Sequence, residues 1–260
     1  MESGRRMRDP GSIGSKRAGA RISDMTSDVQ AAIGALRDAT GRLEAAVARY
    51  RQQQGLDAFA APSRLPGWTI GHVLTHLARN ADGLRRVLVA ARIGQLMTPY
   101  DSPQAREEDI EQGATRSTDT IAVDLVTADQ HLAETIDAFP QTAWAATVDL
   151  GRGGPAAAEV VLAHRLAEVE FHHDDLGIDA GLDLLTAPQA AGLLVALQGS
   201  YVRTRDVPPL TLAPDDAARI EIGGGGPVIA GPALDLVRWL AGRGQAEVRG
   251  DEPLPVLPPW

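Results

Sequence analysis

No cysteine occurs anywhere in the 260 residues, which excludes disulfides, cysteine-ligated metal centres and a cysteine nucleophile. Any thiol in this protein's chemistry must therefore come from a small molecule. Aromatic residues are scarce, at 4%, so the core has to be built from Leu, Val, Ile and Ala. No apolar run approaches the roughly 20 residues needed to span a bilayer, and no membrane partner is expected. An excess of positive charge is also lacking: the formal net charge is −9. Residues 1–25 hold six basic and three acidic side chains; removing that +3 leaves −12 on the rest, which argues against nucleic acid as a partner.

The first 25 residues have no apolar core of the signal-peptide kind, which predicts a cytoplasmic location. They are rich in Gly, Arg and Ser without apolar periodicity and read as a disordered tail, with Met7 and Met25 as alternative starts. Helical periodicity begins after Met25, with Ser27 as N-cap and Val29, Ile33, Leu36, Leu43, Val47 and Tyr50 on one face. A second helix is predicted from Thr69 to about Ile93. Residues 94–116 form a long polar connection, of which Pro103–Gly113 has the makings of a short helix. A third long helix spans Ser117 to about Ala138, and a fourth runs from Pro155 or Ala156 to about Gly177.

Four amphipathic segments of this kind predict a mainly α protein with an antiparallel four-helix bundle over residues 26–180. Residues 185–260 change character and predict a small α+β domain: a helix over 187–203, short strands at PLTLA and ARIEIG, and a final helix in GPALDLVRWLAGRG. The GGGG at 223–226 lacks the strand–turn–helix context of a phosphate loop and reads as a turn between strands.

Chemistry concentrates in RLAEVEFHHDDLG, residues 165–177, and in the pair His72 and His76. Helical positions four apart are offset by about 40°, so Glu168 and His172 share a face, as do His72 and His76. His173 is turned about 100° from His172 and does not serve the same site, and Glu170 lies on another side again. Glu168, His172 and one histidine of the second helix make a three-ligand set that leaves a position open, the pattern of a catalytic metal in a bundle. Spacing does not choose between His72 and His76, although His76 neighbours the apolar stripe residues Val73 and Leu77. On pattern alone the cluster fits a metal site and a solvated charged face equally. His131 and His164 read as surface or boundary residues, and Trp68 as an apolar anchor.

The stretches LPGWTIGHVLTHLARNADGL, TPYDSPQAREEDIEQGA, AEVEFHHDDLG and GPALDLVRWLAGRG, in that order, resemble the mycothiol-dependent maleylpyruvate isomerases of actinobacteria. The resemblance implies a DinB-like four-helix bundle followed by a small α+β domain. It implies Zn2+ held by His76, Glu168 and His172, with Arg106 and Arg243 binding substrate; Asn80 and Asp175 are candidates for supporting the ligands. The activity it implies is the cis–trans isomerisation of maleylpyruvate to fumarylpyruvate. Mycothiol bound to zinc as a thiolate adds to the double bond, the adduct rotates, and elimination follows. A small-molecule thiol and an anionic electrophile are then the partners, and arginine's planar fork suits the substrate's carboxylates. A mycothiol S-transferase acting on another electrophile shares these requirements, because fold alone does not fix the reaction. A non-catalytic metal- or thiol-binding regulator is a third class, weakened by the absence of cysteine and of a basic DNA-reading helix.

Overall fold

The computed structural model describes residues 11–151, 153–204, 207–250 and 253–257; side chains are described from residue 27 of the first helix and up to residue 198 of the sixth. The first helix, α1, spans Gly11–Gln54. Ser27 is thus an interior residue and not the expected cap, and residues 11–25, read as disordered, carry helical backbone; residues 1–10 lie outside the described residues. Extending an existing helix adds a hydrogen bond for each residue fixed, while nucleation is the costly step, so a stretch without proline follows its neighbour. The predicted stripe of α1 is buried at Val29, Ile33, Leu36, Leu43 and Val47.

Helix α2 (Ile70–Arg92) starts where Thr69 caps it. The Thr69 hydroxyl accepts from the His72 amide, and the His72 ring Nδ1 accepts from the Thr69 amide at 3.2 Å. His72 thus fills the place usually taken by Glu or Gln in a capping box. Helix α3 (Pro103–Ala114) is capped by Ser102, and α4 (Thr118–Asp137) by Ser117. Gly113 lets α3 lie against α2, since a Cβ there would fall 2.3 Å from Thr75 Cγ2. Helix α5 (Val160–Leu176) stops at Gly177, whose φ of 65° is the left-handed conformation that glycine adopts without strain.

The fourth helix of the bundle begins later than expected. Residues Thr147–Val148 (β1) and Ala156–Ala157 (β2) pair as a short antiparallel hairpin. Gly151, Gly153 and Gly154, all at positive φ, turn the chain between them. Local strand pairing therefore overrides the helical propensity of the alanines at 156–158. Helices α1, α2, α4 and α5 pack on one another as the expected bundle. Phe139 and Trp144 close one end of it, with ring centroids 4.6 Å apart.

The C-terminal part consists of α6 (Ala187–Thr204), β3 (Leu210–Pro214), β4 (Ile220–Ile222), β5 (Val228–Gly231) and α7 (Ala233–Leu240). The sheet order is β4-β3-β5, with β3 antiparallel to β4 and parallel to β5. The four glycines form the β4–β5 turn, and a Cβ on Gly226 would meet the Pro209 carbonyl oxygen at 2.3 Å. Helix α6 packs against both α5 and α7. Leu193, Leu194, Leu197, Leu212 and Leu236 thereby join Leu162 and Phe171 in one continuous core. This contact brings the residues after α7 to the C-terminal end of α5. Among the described residues, no helix is long and apolar enough to cross a membrane.

Candidate metal centre

Helices α2 and α5 each turn a histidine toward the same buried point. His76 is 4% exposed and His172 8% exposed. One ligand atom from each of His76, Glu168 and His172 lies within 4.8 Å of the others, and among the described residues this is the one such group of metal-binding side chains. His76 Nε2 is 2.9 Å and His172 Nε2 3.4 Å from the same oxygen, Glu168 Oε2. Donors on a zinc tetrahedron, with bonds near 2.0–2.1 Å, stand about 3.3 Å apart. Two imidazole nitrogens and a carboxylate oxygen at these spacings fit a small divalent cation and leave a fourth direction free.

At His76 and Glu168 the electrostatics support the same fit. Burial pushes His76 down to about 4, with the charges of His172 and Arg106 adding and Glu168 opposing, so its ring is neutral near pH 7, the form that ligates. Burial opposes a charge on Glu168, but hydrogen bonds from His172 and His76 overrule it and hold the carboxyl well below its ordinary value. His172 is raised: burial lowers it, and hydrogen bonds to Asp175 and Glu168 more than compensate. A half-buried carboxylate enclosed by imidazoles is thus kept anionic and ready for a cation.

The remaining residues of the acidic stretch separate as helical geometry predicts. His173 points to Asp179, with Nε2 3.1 Å from Oδ1. Glu170 accepts from Arg42 on α1 at 2.5 Å. Asp174 accepts from Arg64 Nη1 at 2.9 Å and from the Leu182 amide at 3.2 Å. Asp175 is the one that turns inward, accepting from His172 Nδ1 at 2.9 Å. A carboxylate only accepts, so Nδ1 carries the proton and Nε2 faces the cluster; such a partner is a usual companion of a metal-bound histidine. On α2, His72 is engaged by its cap, with Nδ1 2.7 Å from Thr69 Oγ1, and its Nε2 faces Glu111 at 3.4 Å.

The two arginines sit differently. Arg106, on α3, donates from Nη2 to His76 Nδ1 at 3.0 Å and lies over the Tyr100 ring at 5.7 Å. Arg243, just past α7, grips Asp175 through Nε at 3.0 Å and Nη2 at 2.6 Å, and its Nη1 donates to the Ala241 carbonyl. Asn80 lies one helical turn after His76 on α2. Its Oδ1 accepts from the buried Arg165 at 2.7 Å, and Arg165 also holds the Leu77 carbonyl and Asp129.

Three neighbours were not anticipated as part of the site. His164 Nε2 lies 3.7 Å from Glu168 Oε1, and its spacing of four from Glu168 was the available signal. Tyr100, in the α2–α3 connection, is raised by burial and by the charge of Glu168; a lone tyrosine in a polar loop carries no pattern that could flag it. Trp68 stacks on His72 and meets His76 edge-on at 5.8 Å, so the expected apolar anchor also walls the site.

A helical bundle that closes a His–Glu–His cluster beneath a C-terminal α+β unit defines a class of candidate bundle metalloproteins. Within it the chain belongs to the mycothiol maleylpyruvate isomerase family, whose N-terminal domain profile matches residues 18–177. A crystal structure of the mycothiol-dependent maleylpyruvate isomerase is similar over 89% of this chain and 97% of that one, with 25% identity and a TM-score of 0.73. A histidine-to-alanine mutant of that enzyme matches with the same coverage and TM-score at 24% identity. Comparison with curated proteins gives no significant match.

Proposed function

We propose that the protein is a zinc- and mycothiol-dependent cis–trans isomerase of the maleylpyruvate type. The observation that carries this reading is the cluster of buried His76 and His172 around half-buried Glu168 in a cysteine-free chain of this family. A divalent metal held by these three residues, together with mycothiol, supplies a thiolate at neutral pH for reversible addition to a cis double bond.

The chain's own residues have definable tasks. Asp175 holds the proton on His172 Nδ1 and so presents Nε2 as a donor. Arg106 can donate to His76 Nδ1 only while that nitrogen carries no proton. A metal held on His76 Nε2 would leave the ring proton on Nδ1, where Arg106 could no longer donate, and the Arg106 guanidinium would be free for a substrate carboxylate. Trp68 borders His76 and the Tyr100 ring borders Arg106, so both flank this space.

A second reading is favoured by one feature. Arg243 is occupied by Asp175, which leaves Arg106 as the arginine positioned to meet an anion. One such anchor suits an electrophile with a single carboxylate, and transfer of mycothiol to such a compound is the alternative. Incubation of zinc-loaded protein with maleylpyruvate and catalytic mycothiol, followed by ultraviolet absorbance, separates the two. Fumarylpyruvate formed without consumption of thiol supports the isomerase; a stable thiol conjugate of another electrophile, with no isomerisation, replaces it with the transferase.

A further inference from the structure

Resting on the metal-centre reading above, we propose that Arg243 is a positioning residue that locks His172 through Asp175, and does not bind substrate. Its guanidinium has three nitrogens, and each is engaged: Nε and Nη2 form a fork on the two oxygens of Asp175, and Nη1 donates to the Ala241 carbonyl. The plane is held from one side by the Phe171 ring, whose centroid is 4.8 Å from the guanidinium carbon. The side chain is 13% exposed and that of Asp175 5%. A forked arginine–carboxylate pair of this kind has defined geometry in two directions. Of the two edges through which a guanidinium grips a carboxylate, the Nε–Nη2 edge already meets a protein carboxylate, and on the other Nη1 is drawn to the Ala241 carbonyl.

The fork fixes the Asp175 carboxylate, and Asp175 Oδ2 is also the atom that His172 Nδ1 reaches at 2.9 Å. His172 follows Phe171 on α5, so the Arg243 side chain both covers one residue of that helix and steers the next. The chain Arg243–Asp175–His172 therefore runs from the turn after α7 into the donor cluster. Through it the C-terminal α+β unit sets the direction of one ligand contributed by the bundle. Outer partners of a ligating histidine commonly govern metal affinity by about 10–100-fold.

The test compares wild type, Arg243→Met, Asp175→Asn and the double variant. Zinc affinity is measured by competition with a chromogenic chelator, and the visible spectrum of the cobalt-substituted protein is recorded. Both single variants are expected to lose zinc affinity by about tenfold or more and to shift the cobalt bands. The double variant is expected to lose no more than the weaker single, since both act on one hydrogen bond. Arg243→Lys, which can still reach one oxygen, should recover part of the loss. Where maleylpyruvate turnover is measurable, Arg243→Met should lower kcat with little change in KM. Wild-type zinc affinity and cobalt spectrum in Arg243→Met, with a raised KM, would make it a substrate anchor and overturn the proposal. Additive losses in the double variant would overturn it as well. Should Arg243→Met not fold, unchanged zinc affinity in Asp175→Asn still refutes it. Failure to isomerise maleylpyruvate would affect only the proposed function, because the zinc and cobalt readouts need no substrate.

Discussion

Replacing Arg165 by methionine isolates the polar strut that holds the bundle together behind the metal centre. Arg165 is 1% exposed and donates to Asp129 Oδ1 at 2.6 Å, to Asn80 Oδ1 at 2.7 Å and to the Leu77 carbonyl at 2.9 Å. One side chain of α5 thus ties α2 to α4, immediately beyond His76. Methionine keeps most of the volume but leaves the Asp129 carboxylate, itself 5% exposed, without its cation. Breaking a buried pair in this way costs about 3–5 kcal/mol. A cavity of about 360 Å3 between α1 and α4 borders Asp129 and Arg165 and gives water a route to the orphaned carboxylate. The lower end, about 3 kcal/mol, is therefore expected.

For a chain of this size that corresponds to a fall in Tm of roughly 6–12 °C. The penalty also has a pH sign. Burial already raises Asp129 against the opposing charge of Arg165, and Glu44 in the same cavity is raised by burial and by Asp129. Removing the cation takes away the influence that lowers Asp129 and raises it further, so protonation on acidification relieves the variant more than the wild type. The stability gap should narrow from about pH 7 toward about pH 5. Urea unfolding followed by far-ultraviolet circular dichroism measures this. The double variant Arg165→Met with Asp129→Leu should recover most of the loss, since an apolar pair of similar volume replaces the ionic one. A single variant within about 0.5 kcal/mol of wild type, or a double variant no more stable than the single, refutes the reasoning.

Glu168→Gln preserves shape but removes the anionic donor, and zinc bound per chain after dialysis should fall well below that of wild type; equal zinc would remove Glu168 from the ligand set. His173→Phe should keep full zinc content, because His173 faces Asp179 and not the cluster; zinc loss there would exchange the roles of the two adjacent histidines. Gly113→Ala brings a Cβ 2.3 Å from Thr75 Cγ2 and should cost about 1–3 kcal/mol by thermal unfolding, and by pushing α3 away it should also weaken the Arg106 contact with His76. Trp144→Ala, at a position 1% exposed, should cost about 3–5 kcal/mol in urea without changing zinc stoichiometry.

Much of the architecture was legible because it is local. Thr69 caps α2 through its own next turn, α4 starts at its cap Ser117, and Gly177 ends α5 through its own φ, whereas Ser27 offers the same local signal inside a helix that continues past it. The 100° advance per residue likewise separated His172 from His173 and Glu168 from Glu170 without any knowledge of the fold. The β1–β2 hairpin is not legible locally, because its pairing joins residues eight and ten apart across a glycine turn, and alanine at 156–157 reads locally as helix.

What the sequence by itself determined is therefore the periodic part: the helices, the bundle's apolar stripes and the convergence of Glu168 with His172. Spacing leaves His72 and His76 open and the family resemblance points to His76; that the cap engages His72 while His76 Nε2 comes within 2.9 Å of Glu168 on α5 was decided by tertiary structure. The same holds for Arg243, whose motif could not reveal that Asp175, 68 residues earlier, already fills its fork. Helical periodicity follows from steric and hydrogen-bond rules acting over a few residues. The identity of a charged side chain's partner depends on which distant surface packing brings within 3 Å of it.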